Sequence, residues 1–321
     1  MSKRKVSVII PTYNVEEYVD RLIHNLETQT IGMEHLDIIF VDDCSTDNTL
    51  NLLKPFIDKY PDNVYIYMNT TRKLQGYCRN FGLNWAGGDY IAFLDADDRI
   101  AQEALEMAYN KASEYDADVV IFKWKEEGAS GQITGLNMYK EFKTGQDRTN
   151  FFVNHRNHVT RACWDKLYKR SFIQQYDFKF AEGVWDEESL FTTPVLLTCK
   201  NLYILNYILY YYNTKNQESS AHLMTRDNSE HKFDNAITWE QTYQKIRELG
   251  ITGCDNLIEW WFTMNYFILT VDFNKRRKYE LTKDEIDRLY ANLYQLYPKW
   301  YENPIIKERG MENEIRRIIR H

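Results

Sequence analysis

Three carboxylates close the stretch Asp89-Tyr-Ile-Ala-Phe-Leu-Asp-Ala-Asp-Asp98: Asp95, Asp97 and Asp98 follow the apolar run 90–94 at once. That run reads as a buried strand. Acids at the C-terminal tip of a parallel strand stand where open α/β sheets bind their ligands. Asp95 and Asp97 lie two apart, so an extended backbone puts them on one face, and a turn can fan all three around one centre. Hard oxygen donors beside a nucleotide pocket suit Mg²⁺ or Mn²⁺ bridging two phosphates. The competing reading is a solvated acidic turn capping a helix that starts near Gln102.

The elements that must position these acids repeat one pattern. The β-rich run 6–10 is followed by the turn Pro11-Thr-Tyr-Asn14 and a helix over about 16–29, with Tyr18, Leu22, Ile23 and Leu26 at helical spacing. A second strand, 36–41, ends in Asp42-Asp-Cys-Ser-Thr-Asp47 and leads into a helix over about 48–60, with Ser45 or Asp47 as its N-cap. A third strand spans 64–68 and a third helix 76–85. Strands alternating with helices predict parallel βαβ units, with every polar strand end on one edge of the sheet.

Four segments now occur in order: Pro11-Thr-Tyr-Asn14, Val41-Asp-Asp-Cys-Ser-Thr-Asp47, Gly76-Tyr-Cys-Arg-Asn-Phe-Gly82 and Gly88-Asp-Tyr-Ile-Ala-Phe-Leu-Asp-Ala-Asp-Asp98. Together they resemble the family 2 glycosyltransferases, inverting enzymes of the GT-A fold. The resemblance is strong over about 4–125 and looser to about 220. Cys44 stands where the family usually has Gly, and Cys78 where it usually has Ala.

The resemblance implies an α/β fold: a Rossmann-like, mainly parallel sheet flanked by helices, with a C-terminal helical extension. It implies a UDP-type nucleotide-sugar donor, a carbohydrate or lipid-linked glycan acceptor and Mn²⁺ or Mg²⁺. Tyr13 would stack on a uracil-like base while the turn from Pro11 presents backbone groups to the base edge. Asp43 matches the acid that accepts the pyrimidine N–H, with Asp42 structural or near the ribose. Arg79 would lie near the diphosphate, where a guanidinium holds two oxygens at once. Asp95 matches the ribose-side acid and Asp97 the metal ligand. Asp98 would bind the metal or position the acceptor.

The general base is sought further on. Another strand is read over 118–124, and 126–150 is a loop or hairpin excursion. Ala162-Cys-Trp-Asp-Lys-Leu-Tyr168 resembles the acceptor-pocket segment. In Glu182-Gly-Val-Trp-Asp-Glu-Glu-Ser-Leu-Phe191, the family has Glu-Asp-x-x-Phe at the end and its Asp is the base. Alignment on Glu182-Gly183 and Phe191 puts Glu188 on that Asp and Glu187 on the preceding Glu. A shift of register would bring in Asp186. The non-catalytic reading of 186–188 is an acidic helix start. His155 and His158 are three apart without a third metal ligand nearby, so a surface or acceptor-side role is expected. Lys215, Ser219 and His222 follow an aromatic run in the manner of the family's diphosphate-covering loop.

Composition narrows the classes. A net charge of −7 argues against a nucleic-acid-coating surface. Five scattered cysteines without a CxxC pair suggest reduced thiols and a cytoplasmic setting, and no apolar run reaches the length of a membrane span. The first strand begins too early for a signal peptide to precede it. The expected division is a catalytic region 1–225, with a nucleotide-sugar half 1–125 and an acceptor half 126–225, and a helical region 226–321. In the last, Trp260, Trp261, Phe262, Tyr266 and Phe267 precede a basic cluster at 275–278. Packing on the catalytic region is expected there, with peripheral contact to an anionic membrane as the alternative. A nucleotidyltransferase would open with a glycine-rich loop, which Pro11-Thr-Tyr-Asn14 lacks. A dinucleotide oxidoreductase would need GxGxxG. A sugar-nucleotide or glycan-binding module without catalysis is the non-enzymatic alternative.

Overall fold

Strand β1 (Val6–Thr12) lies between β2 (Leu36–Asp42) and β4 (Tyr90–Phe93) in a parallel ladder, with β3 (Val64–Met68) outside β2. The computed structural model describes residues 4–130, 137–216, 229–276 and 279–320. Both faces of this ladder are covered, which is why its strands read as continuous apolar runs and not as alternations. Val6, Val8 and Ile10 enter one core cluster, and Ile9 enters the other with Ile39 and Val41. Helices α1 (Val19–Glu27), α2 (Thr49–Lys59) and α3 (Leu74–Trp85) make the crossovers.

Beyond β4 the sheet becomes mixed. β5 (Arg99–Ile100) and α4 (Ala104–Glu114) lead to β6 (Val119–Glu126) and β7 (Met138–Glu141), then α5 (Gly145–Asn154), β8 (Lys166–Lys169), α6 (Arg170–Gln175), α7 (Glu188–Thr198) and β9 (Asn201–Tyr212). β8 runs antiparallel between β4 and β6, and β9 lies parallel to β6 while carrying β5 and β7 antiparallel. The strand order is β3-β2-β1-β4-β8-β6-β9-β5, with β7 also on β9. The intervening β5 separates Asp98 from α4, whose N-cap is Glu103, so the acidic triplet does not cap that helix. Within the expected 126–150 excursion the chain forms β7 and the start of α5, whose N-cap Thr144 accepts the Asp147 N–H at 3.0 Å.

After 228 the chain is helical: α8 (Asp234–Glu248), α9 (Asp255–Phe262), a π-helical stretch Thr263–Ile268, α10 (Leu269–Arg276), α11 (Lys283–Leu296), α12 (Pro304–Glu308) and α13 (Met311–Arg320). Trp260, Phe262, Tyr266 and Phe267 are buried in the same core cluster as Ile9, Phe93 and Phe191. The membrane alternative therefore loses its rings: they pack on the sheet's helical layer, where burial of aromatic area is most favourable. Among the described residues no helix is long and apolar enough to cross a membrane.

One helix face controls how closely the two halves approach. A Cβ at Gly76 on α3 would stand 2.0 Å from the Ala181 carbonyl oxygen and 3.1 Å from Glu187 Cβ. The loop 181–187 thus rests directly on the α3 backbone. We expect Gly76→Ala to push that loop off the helix and to destabilise the protein by about 1–3 kcal/mol, read as a lower midpoint in urea unfolding. An unchanged midpoint would show that the loop has room to yield.

Candidate active site

Because β1, β2 and β4 are parallel, Thr12, Asp42 and Asp95 come to one edge of the sheet. The acids after β4 turn sharply, the Asp98 N–H donating to the Asp95 carbonyl at 3.0 Å. Asp98 is buried; it accepts the Tyr210 hydroxyl at 2.5 Å and the Asn213 N–H at 2.6 Å. Asp97 is half-buried and accepts the Asn216 amide at 2.6 Å. Asp95 accepts Arg79 Nη2 at 2.7 Å. Burial pushes the Asp98 carboxyl up to about 9, with Asp95 and Asp97 adding to the push. Burial also raises Asp97, against the pull of Asn216 and with Asp95 pressing the same way.

This donor set fits a hard divalent cation. Crowded, half-buried carboxylates that resist ionisation are relieved by a counter-charge. Among the described residues no three His, Cys, Asp or Glu side chains form a closed ligand cage. Mg²⁺ and Mn²⁺ sites that share substrate phosphates use only one or two protein carboxylates, so Asp97 beside Asp95 is adequate.

Arg79 is 1 % exposed and spans two acids. Its Nη2 holds Asp95 and its Nη1 holds Glu187, whose other oxygen accepts the Gln75 amide at 2.9 Å. Arg79, expected beside the diphosphate, thus has both terminal nitrogens engaged by carboxylates. Burial pushes Glu187 up to about 8 against the pull of Arg79. The next residue of the same motif, Asn80, donates to the Phe180 carbonyl at 3.0 Å and to Glu182 at 2.9 Å. Gln75 and Arg79, four residues apart, lie along one helix face, and Asn80 follows directly on the flank of that face.

The other strand ends build a pocket beside this. Asp43 is buried; it accepts the Asn69 amide at 2.9 Å, the Lys73 N–H at 2.7 Å and the Leu74 N–H at 2.8 Å. It thereby anchors the start of α3, where Leu74 takes φ 66°, a costly value for a branched side chain. Asp42 is structural: Thr12 and Ser45 donate to it at 3.0 and 2.5 Å. Cys44 has φ 69°, which explains the Gly usual at that position. Pro11 and Tyr13 are half-buried at the mouth, and the Arg72 guanidinium lies 4.0 Å over the Tyr13 ring.

The three candidate bases differ in their surroundings. Glu188 opens α7 and accepts the Cys163 N–H at 2.7 Å. Burial raises its carboxyl, Arg79 pulls it back and the charge of Asp95 adds to the rise. Glu187 has both oxygens occupied. Asp186 has Oδ1 4.0 Å from Arg161, while its buried Oδ2 has no hydrogen-bond partner. Glu188 thus differs from Glu187 in not being bonded to Arg79, and it lies in the field of Asp95.

Sequence reading missed Tyr210, Asn213 and Asn216, which reach the acidic triplet from the end of β9, and Gln75 and Arg72. The residues Tyr210-Tyr-Tyr-Asn carry a strand-end signal, but nothing local says which edge that end meets. Lys215 is exposed, its N–H donating to Asn213 at 3.0 Å. Ser219 and His222 lie outside the described residues. His158 sits 2.5 Å from Lys123 Nζ, an ammonium neighbour that suits no metal ligand.

Comparison with known proteins adds an independent line. The sequence model of glycosyl transferase family 2 matches residues 7–177. The chain is 28% identical over 305 residues to the poly(ribitol-phosphate) beta-N-acetylglucosaminyltransferase TarS of Staphylococcus aureus, covering 94% of this chain and 47% of that protein. It therefore spans about half the length of this relative. A crystal structure of S. aureus TarS residues 1–349 in complex with UDP-GlcNAc superposes with a TM-score of 0.59 at 22% identity, covering 95% of this chain and 92% of that one. The mannosyltransferase PcManGT of Pyrobaculum calidifontis, in complex with GDP-Man and Mn²⁺, gives 0.55 at 14% identity over 99% and 86%. These likenesses establish the GT-A fold.

The raised acids set a pH dependence. The unfolded chain releases this proton at an ordinary carboxylate value, whereas folded Asp98 holds its proton to about 9. The folded state binds more protons in between, so stability falls as pH rises through that window. With a chelator present, the melting temperature should decline between about pH 6 and pH 9. Saturating Mn²⁺ should flatten the decline in the parent protein and not in Asp97→Ala. A melting temperature that climbs across this window would contradict the assignment.

Proposed function

The chain belongs to glycosyl transferase family 2, and from that premise we propose that it moves a hexosyl unit from a UDP-type donor to a hydroxyl of a glycan acceptor, inverting the anomeric carbon. The acceptor class is a carbohydrate or lipid-linked glycan of cell-surface polysaccharide synthesis, in keeping with the named activity of TarS. The observation that carries the reading is convergence: Asp43 after β2, Asp95 and Asp97 in the turn after β4, and Glu188 at the start of α7 come together from three separate parts of the chain, joined through α3 and Arg79.

Each group has a task in this reading. Asp43 keeps one lone pair for a pyrimidine N–H after anchoring α3, and Tyr13 and Pro11 flank the base. Asp95, held by Arg79, faces the ribose. Asp97 would hold Mn²⁺ or Mg²⁺, which when bound supplies positive charge to the departing diphosphate. Arg79 acts as a positioning residue, since its charge is taken by Asp95 and Glu187. Asp98, clamped by Tyr210 and Asn213, fixes the turn that aims Asp97.

Glu188 takes the proton of the acceptor hydroxyl as that oxygen bonds to the anomeric carbon and the bond to the diphosphate oxygen breaks, releasing UDP. A carboxylate whose affinity for protons is raised by burial is a better base than an ordinary one. The Cys163 N–H and thiol together orient the Glu188 carboxylate. Asp186 and Glu187 remain the rivals that experiment must separate, with Glu187 disfavoured by its two filled oxygens.

The direct test is transfer from a set of UDP-sugars, with UDP binding followed by calorimetry on the same preparations. Glu188→Gln should retain UDP affinity and lose turnover by about 10²–10⁴-fold, the usual contribution of a general base. Asp186→Asn should retain most of its turnover. If Glu188→Gln turns over near the parent rate while Asp186→Asn is inactive, the base is Asp186.

A further inference from the structure

Next to the Cys163 amide that holds Glu188 stands Trp164, and it does not stand alone. Its ring stacks on buried Tyr210 at 4.4 Å and 22°, which fixes its plane. Trp124, at the open end of β6, meets it at 88° with centroids 5.4 Å apart. Tyr212 lies 5.8 Å from Trp164, nearly parallel at 12°, and 6.2 Å from Trp124. The three rings form an apolar corner. Trp124 is 38 % exposed, so part of that corner faces solvent.

The corner is beside the chemistry. The Tyr212 hydroxyl feels Asp98, Asp95, Asp97 and Glu188, in that order of strength, besides its burial. Its neighbour Tyr210 donates to Asp98 and receives the Asp95 N–H at 3.3 Å. Trp164 shares its loop with the amide that orients the base. The rings therefore stand beside both the acidic triplet and Glu188. A register irregularity in β6 between Phe122 and Trp124 turns the strand there; bulges of this kind re-aim side chains beside active sites.

We propose that Trp124, Trp164 and Tyr212 form a stacking shelf for the acceptor's terminal sugar, and that this unit is a pyranose ring rather than an open-chain polyol phosphate. The inference rests on the glycosyltransferase reading and adds the acceptor class to it. One face of a pyranose presents several axial C–H groups, weakly positive, to the negative face of an indole. An extended polyol phosphate has no such flat face. Stacking would also hold the ring rigidly enough to present one hydroxyl to Glu188, which is how positioning lowers a bimolecular barrier.

Saturation-transfer difference NMR tests this with methyl β-D-glucopyranoside, methyl β-D-galactopyranoside and methyl N-acetyl-β-D-glucosaminide against ribitol 5-phosphate, each with and without UDP. At least one pyranoside should receive saturation on the protons of one ring face, and ribitol 5-phosphate should not compete with it. Trp124→Ala should weaken that signal about fivefold, the loss expected for one aromatic face, and Trp124→Phe should restore most of it. Circular dichroism melts confirm that the variants fold. The shelf is overturned if no pyranoside is saturated, if ribitol 5-phosphate displaces the pyranoside, or if Trp124→Ala leaves the signal intact. UDP calorimetry on the same samples reports separately on the donor site: absent UDP binding would refute the donor reading while the spectra without UDP still judge the shelf.

Discussion

A guanidinium shut away from water between two carboxylates holds this site together. Arg79 joins Asp95, at the tip of β4, to Glu187, on the loop before α7. Isolating such charges from water costs several kcal/mol per ion before their attraction is counted, so the bridge is a poor source of net stability. Its effect is geometric. It ties the acidic turn after β4 to the loop that leads into Glu188, so that neither can shift without exposing a buried charge. Gly76 and Asn80 on the same helix reinforce the tie, one by letting the loop rest on the backbone and the other by bonding Phe180 and Glu182.

The third sequence motif is thereby given a physical meaning that spacing alone did not supply. Gly76-Tyr-Cys-Arg-Asn reads as a helix with a basic group near a phosphate, and the helix is there. Apart from Asp95, the partners of its polar face lie a hundred residues or more away along the chain, where no local pattern can point to them. The parallel half of the sheet was legible because each buried strand is a continuous apolar run ending in polar residues. The mixed half was less so: β7 and the start of α5 lie in a Gly- and Thr-rich stretch without a clear period, which reads as a loop. The roles of Tyr210, Asn213 and Asn216 depend on β9 pairing with β6 and β5, a long-range choice.

The region matched by the family model ends at residue 177, before the 181–188 loop begins. What holds that loop from outside comes partly from the C-terminal helices. Asp234, at the start of α8, accepts the Trp185 N–H and faces His231 Nδ1, both at 2.8 Å, while the Trp185 and His231 rings stack at 4.3 Å. Asn235 bonds Arg161 on one side and Thr270 on the other. The C-terminal helices share one core cluster with the sheet and brace the acceptor side of the cleft. This explains why the aromatic helix α9 is buried: its rings fill the layer from which that brace extends.

The central claim is that the Arg79 bridge couples the two halves of the site, and a double-mutant cycle measures it most directly. Urea unfolding and transfer rates would be compared for Arg79→Met, Glu187→Gln and the double variant. Arg79→Met alone should cost about 3–5 kcal/mol because Glu187 is left buried without its charge partner. Adding Glu187→Gln should return much of that stability without restoring transfer, since Asp95 and the base loop are no longer joined. Penalties that simply add in both stability and rate would contradict it, and would mean that the two carboxylates are held independently.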